Sequence, residues 1–153
     1  MSHLKAAYSL GFAFILATFL GCTNPFGPER QPEREWERQV GAIEIGGAQE
    51  PPIELPDTVE QGVPFASTVV TFGSGNCVRA DGADVDVSGL TAHITPYDLV
   101  AITGVCTDDL APYPREVTLQ FDEVGEATVW VHGRTLLGEP TQYEAQLLVL
   151  PGE

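Results

Sequence analysis

Three carboxylates fall within six residues at Asp81, Asp84 and Asp86, beside Gly82. Hard oxygen donors of this kind suit Ca²⁺, but their spacing misses the EF-hand loop. Asp84 and Asp86 also alternate with Val85 and Val87, which puts them on the solvent face of a strand. Asp108 and Asp109 invite the same reading. We therefore expect no metal and no cofactor, with Asp81, Asp84 and Asp86 as the ligands of the rival reading, a cation site. His93 and His132 each fall on a predicted strand, opposite the inward residues, with no acid or nucleophile at a telling spacing. Ser74 lies in Gly73-Ser74-Gly75, which is not the G-x-S-x-G elbow and precedes a turn, not a helix. The chain has no P-loop, no H-E-x-x-H and no dinucleotide fingerprint, and no catalytic residue is expected. Trp130 alternates onto the outer face with Thr128 and His132. It marks either a binding patch, which Arg134 would extend, or a ring covered by a loop or by the second face of the sheet.

The first 22 residues decide the compartment in which these groups must work. Lys5 supplies a positive start, residues 6–20 are almost wholly apolar, and small Gly21 precedes Cys22. That layout is a secretory signal peptide, expected as a signal helix over residues 1–21. The apolar run has 15 residues, short of the ~20 needed to span a bilayer, and no basic cluster follows it. Phe19-Leu20-Gly21-Cys22 resembles the lipobox of bacterial lipoproteins, with Phe19 standing where that family usually carries Leu. The resemblance implies cleavage before Cys22 and its acylation with palmitate-type chains. Each buried CH₂ of such an anchor contributes about 0.8 kcal/mol. Thr23 after the cysteine, where an Asp would signal inner-membrane retention, resembles the pattern of outer-membrane lipoproteins. With Cys22 assigned to lipid, Cys77 and Cys106 are left in an exported domain, where disulfides persist, and only one pairing remains. That bridge is worth about 3.6 kcal/mol in the chain-entropy model. Two isolated cysteines without a neighbouring His lack zinc-site spacing.

Charge narrows the partners. Residues 23–40 hold three prolines and alternate Glu with Arg, which reads as a polar tether. A rival short helix with paired Glu and Arg would be limited to about two turns by Pro32, too few to persist alone. From Gly41 onward, 18 acidic side chains face three basic ones, Arg79, Arg115 and Arg134, so this part carries the whole chain's net charge of −15. Nucleic acid is excluded as a partner, because phosphate binding needs clustered Lys and Arg. The acidity serves solubility, and it repels anionic headgroups, so the domain should stand off a membrane that Cys22 holds.

Beyond residue 41 the apolar positions alternate with period two, and no helical period lasts ten residues. Strands are predicted at 65–72, 84–87, 91–95, 99–105, 116–121, 127–132 and 143–150, with residues 43–45 and 53–59 supplying a leading edge. Parallel pairing would need long crossovers, which are not evident. The expected fold is all-β, an antiparallel β-sandwich of about seven to eight strands behind the signal helix and the flexible tether. Residues 121–129 (FDEVGEATV) resemble the E–F corner of bacterial immunoglobulin-like domains. Leu55-Pro56 followed by Gly62-Val63-Pro64-Phe65 resembles their A-to-B passage. Cys77 and Cys106 are too close in sequence for a B–F core bridge, so the disulfide is expected as a staple between the loop after strand B and the loop before strand E.

The expected organisation is signal peptide (1–21), lipidated N-terminus and linker (22–40), and immunoglobulin-like domain (41–153). The expected function is a non-enzymatic, lipid-anchored envelope lipoprotein at the outer membrane, on its periplasmic side or at the cell surface. Its domain would bind a protein or an envelope polymer, or serve a structural role. The alternative is an acidic accessory protein that binds divalent cations through its Asp-rich loops.

Overall fold

Side chains alternate between buried and exposed along each long segment of the chain, and each such segment is a strand. The computed structural model describes residues 33–44 and 51–152. The expected signal helix, Cys22, and tether residues 23–32 lie outside the described residues. In chain order the strands are β1 (Trp36–Val40), β2 (Ala42–Glu44), β3 (Ile53–Glu54), β4 (Thr58–Glu60) and β5 (Phe65–Ser74), followed by β6 (Val78–Ser88), β7 (Thr91–Ala101), β8 (Leu110–Leu119), β9 (Gly125–Thr135) and β10 (Pro140–Leu150).

Among the described residues these ten strands form one mixed, hydrogen-bonded sheet. β5 pairs antiparallel with β3 and along its whole length with β8. β9 pairs antiparallel with β10 and parallel with β7, whose other flank carries β6. β4 adds to β10 in parallel, and short β2 joins the two groups by pairing with both β5 and β9. Inward positions of both groups meet in a single core. Ile53, Val69, Val117, Leu119 and Phe121 come from one group, and Ala92, Ile94, Val129, Val131, Leu147 and Val149 from the other. Each fully buried side chain of this size contributes roughly 1.5–3 kcal/mol.

The structure corrects the sequence reading in several places. The sheet is mixed rather than antiparallel, with parallel pairs β4–β10, β2–β9 and β7–β9, and it has ten strands rather than seven or eight. The crossover that parallel pairing requires does exist: it is β8 with its flanking loops, paired elsewhere with β5. The expected break at Pro96 is absent, and β7 runs through it. β7 pairs with β9 only through Ile94 and with β1 only from Tyr97, so the missing N–H of Pro96 falls between two partners. β8 begins well before residue 116, because Pro112 and Pro114 are tolerated in a strand that pairs with β5 alone. Finally, the compact unit begins at Glu33, so residues 33–40 belong to the domain and not to the tether.

That last correction has a specific cause. The charges that make residues 33–40 look like a solvated linker are what seat β1. Arg38 lies over the Tyr97 ring, 3.5 Å from its centroid, and pairs with Asp81 at 2.8 Å. Arg79 lies over Trp36 at 4.0 Å. Gly41 then turns the chain into β2, its N–H donating to Pro96 O at 2.8 Å and its carbonyl accepting from Arg134 N at 3.1 Å. A Cβ at Gly41 would collide with the Thr71 side chain and crowd the Asp98 carboxylate, so only glycine fits there.

Inside the domain, above the apolar core, lies a buried ion pair. Arg115 of β8 donates through Nη2 to Asp98 Oδ1 of β7 at 2.6 Å, and both side chains are almost wholly enclosed. The same guanidinium donates to the carbonyls of Gly82, Tyr97 and Tyr113 and to Thr71 Oγ1, while Thr71 donates to Asp98 at 2.9 Å. Removing one partner strands the other charge in a dry interior. Asp98→Ala should therefore lower stability by about 3–5 kcal/mol in urea unfolding. The double change Asp98→Leu with Arg115→Met should recover most of that loss, because it removes both desolvated charges together.

Candidate functional site

Alternation fixes which side chains leave the core of β7 and β9. Ala92, Ile94, Val129 and Val131 are fully buried, so His93, Trp130 and His132 must project from the opposite face. The parallel register sets His93 directly beside Trp130. Asp86 of β6 stands across from His93, Glu144 of β10 across from Trp130, and Gln142 across from His132. One row over the outer face therefore reads Asp86, His93, Trp130, Glu144.

Within this face the two imidazoles meet. His93 Nδ1 lies 2.9 Å from His132 Nε2, with ring centroids 5.1 Å apart and planes inclined by 20°. One ring donates its N–H and the other accepts, which requires at least one neutral imidazole. His132 also borders an open cleft of about 340 Å³, formed where β7 and β9 part, with Val40, Thr95, Gly133, Pro140, Thr141 and Gln142 as its other walls. Trp130 is half-buried on the outer face beside this pair. The histidine contact escapes a sequence reading that places each histidine separately, because it depends on the parallel β7–β9 register. The signal present was their shared outward parity.

The carboxylates behave differently. Asp81 is paired with Arg38, while Asp84 and Asp86 are exposed on the outward side of β6, across from Thr95 and His93. Among the described residues no group of three or more His, Cys, Asp or Glu converges on one point. Arg134, considered as part of a patch, turns its Nε to Val40 O at 2.7 Å.

The disulfide end forms a second ordered region. Cys77 and Cys106 are bonded, with Cα atoms 5.5 Å apart, joining the turn after β5 to the loop before β8. Around them Ser74 donates to Thr107 O at 2.8 Å, and Asn76 Oδ1 accepts from Thr107 N at 2.8 Å. Arg34 reaches Asn76 O. Tyr113 donates its hydroxyl to Ser74 O at 2.7 Å, and burial, followed by the charges of Asp109 and Asp98, raises its pKa and keeps that donor protonated. Ser74 is thus a turn fastener. No family model matches the chain, nor does any curated protein or solved structure.

Asp109 gives this end a pH dependence. Hydrogen bonding from Thr107, ahead of the backbone N–H groups of Gly75 and Asp109 itself, lowers its pKa below 3.8 despite slight desolvation. A depressed carboxyl stabilises the fold above its unfolded value, and the effect disappears as pH falls through the folded value. Asp109→Asn should therefore lower the melting temperature at neutral pH. In calorimetric scans, the gap from the unmodified protein should close as the pH drops below 3.8.

Proposed function

We propose that this chain is a lipid-anchored protein of the bacterial envelope, acylated at Cys22. Its acidic β-domain acts outside the cytoplasm as a non-catalytic binding or structural module. The observation that carries this reading is the Cys77–Cys106 bond. A closed cystine in so small a domain belongs to an oxidising compartment, where a secretory signal would deliver it. The apolar run ending in Gly21-Cys22 supplies that signal and an attachment point.

The strand pairing supports an immunoglobulin-like reading of the domain. β3 on β5, β5 on β8, β9 on β10 and β4 parallel to β10 correspond to the A–B, B–E, F–G and A′–G pairs of that architecture. The arrangement departs from it where β7, parallel to β9, occupies the flank that strand C would take. We read the domain as an immunoglobulin-like sandwich with a rearranged middle hairpin, presenting the face around Trp130 to a protein or an envelope polymer. Its net charge holds it away from anionic headgroups, so this face stays accessible from the tether.

Cells fed labelled palmitate should label the chain at Cys22, and Cys22→Ser should remove the label and move the protein from the outer-membrane fraction to the soluble periplasm. Label that survives Cys22→Ser would overturn the anchoring. In the same cells Cys77 and Cys106 should resist alkylation until a reductant is added.

A further inference from the structure

The exposed imidazole pair carries an inference that does not depend on lipidation. We propose that His93 and His132 form a chelating site for a late first-row divalent cation, Cu²⁺ above all, with Asp86, across from His93, as a carboxylate able to join them.

The two facing nitrogens are 2.9 Å apart. A metal–imidazole bond is about 2.0–2.1 Å long, so two nitrogens at neighbouring corners of a square-planar ion are about 2.9 Å apart, and at a tetrahedral ion about 3.3 Å. The hydrogen-bonded pair already holds its two nitrogens within the span that one ion requires, and among divalent ions of this row imidazole donors bind Cu²⁺ most tightly. Binding needs the rings to turn their lone pairs toward a common point and the shared hydrogen-bond proton to leave for the other nitrogen of its own ring or for solvent.

The scaffold is rigid where it matters. His93 and His132 follow and precede fully buried neighbours on paired strands, so their Cβ positions are held by the core. Solvent reaches both sides of the pair, since His93 is exposed and His132 opens on the cleft. The remaining coordination positions are therefore open to water. Charge favours a cation here: Asp86 lies across from His93, and Glu144 lies one strand beyond Trp130. The nearest basic side chain on β9, Arg134, is turned to the Val40 carbonyl. Among the described residues no third ligand already converges, so this is a two-point chelate and not a closed structural site.

The test is a Cu²⁺ titration of the detergent-solubilised full chain, followed by electron paramagnetic resonance, with Cu²⁺ as the sole added metal. One equivalent should bind with splitting from two imidazole nitrogens. His93→Ala and His132→Ala should each remove that signature and weaken binding by about 10- to 100-fold or more. Asp86→Asn should weaken it less than either. His93→Gln and His132→Gln, which preserve a polar outer face, should behave like the alanine variants while circular dichroism shows an unchanged sheet. No binding, or binding undiminished in the histidine variants, overturns the proposal. Either result leaves the palmitate experiment untouched, so the two readings fail separately.

Discussion

The ion pair between Asp98 and Arg115 is the constraint around which the rest of this domain is arranged. Each charge gives up several kcal/mol of hydration on burial, and only close pairing with further hydrogen bonds offsets that loss. The guanidinium accordingly reaches carbonyls at the β6 bulge, on β7 and on β8, besides the Asp98 carboxylate and the Thr71 hydroxyl. A one-residue slip of β8 would turn Arg115 outward and leave Asp98 buried alone. The pair therefore specifies register between strands that are not hydrogen-bonded to each other. It also explains Gly41, whose missing side chain leaves room for Thr71 and Asp98.

From that pair the domain grades in two directions. Toward Phe65, Leu119 and Phe121 the interior is apolar and stabilised by burial, with Phe65 and Phe121 stacked at 6.2 Å between centroids. Toward the other end it becomes polar, through Tyr113 and the hydrogen-bonded turn of Ser74 and Asn76, and closes with the Cys77–Cys106 bond. Apolar packing is thin there, and a covalent link replaces it. The cystine acts mainly by restricting the unfolded chain, so it stabilises an end that burial alone would leave weak.

How much of this was legible from sequence depended on whether a strand's signal is local. β5 and β9 announce themselves by uninterrupted alternation of β-branched residues, and both lie where the pattern puts them. The position of the disulfide, after β5 and before β8, follows from the same pattern. β7 and β8 are obscured by prolines whose cost depends on which neighbour lies beside them, a fact about the sheet and not about the segment. β1 is obscured by charge, since its arginines find aromatic rings and a carboxylate that lie far along the chain. The histidine contact was hidden for the strongest reason. It requires a parallel neighbour reached through a strand that pairs elsewhere, and no local pattern encodes that.

The distribution of positive charge gives the outer surface its character. Five arginines lie in the described residues, and each is engaged within the domain. Arg34 binds the Asn76 carbonyl, Arg38 binds Asp81 and Tyr97, Arg79 covers Trp36, Arg115 is buried, and Arg134 binds Val40 O. Arginine suits these tasks because its planar fork serves several acceptors and stacks on rings. The consequence is that most carboxylates face solvent without a cationic partner, and the domain's field is negative toward anything that approaches. On the face shared by β6, β7, β9 and β10, the imidazoles of His93 and His132 pair with each other and not with a carboxylate or carbonyl. Imidazoles set in a negative field offer nitrogen ligands to a cation without first having to surrender an ion pair, and so the economy of arginine inside the fold is what makes the outer face chemically receptive.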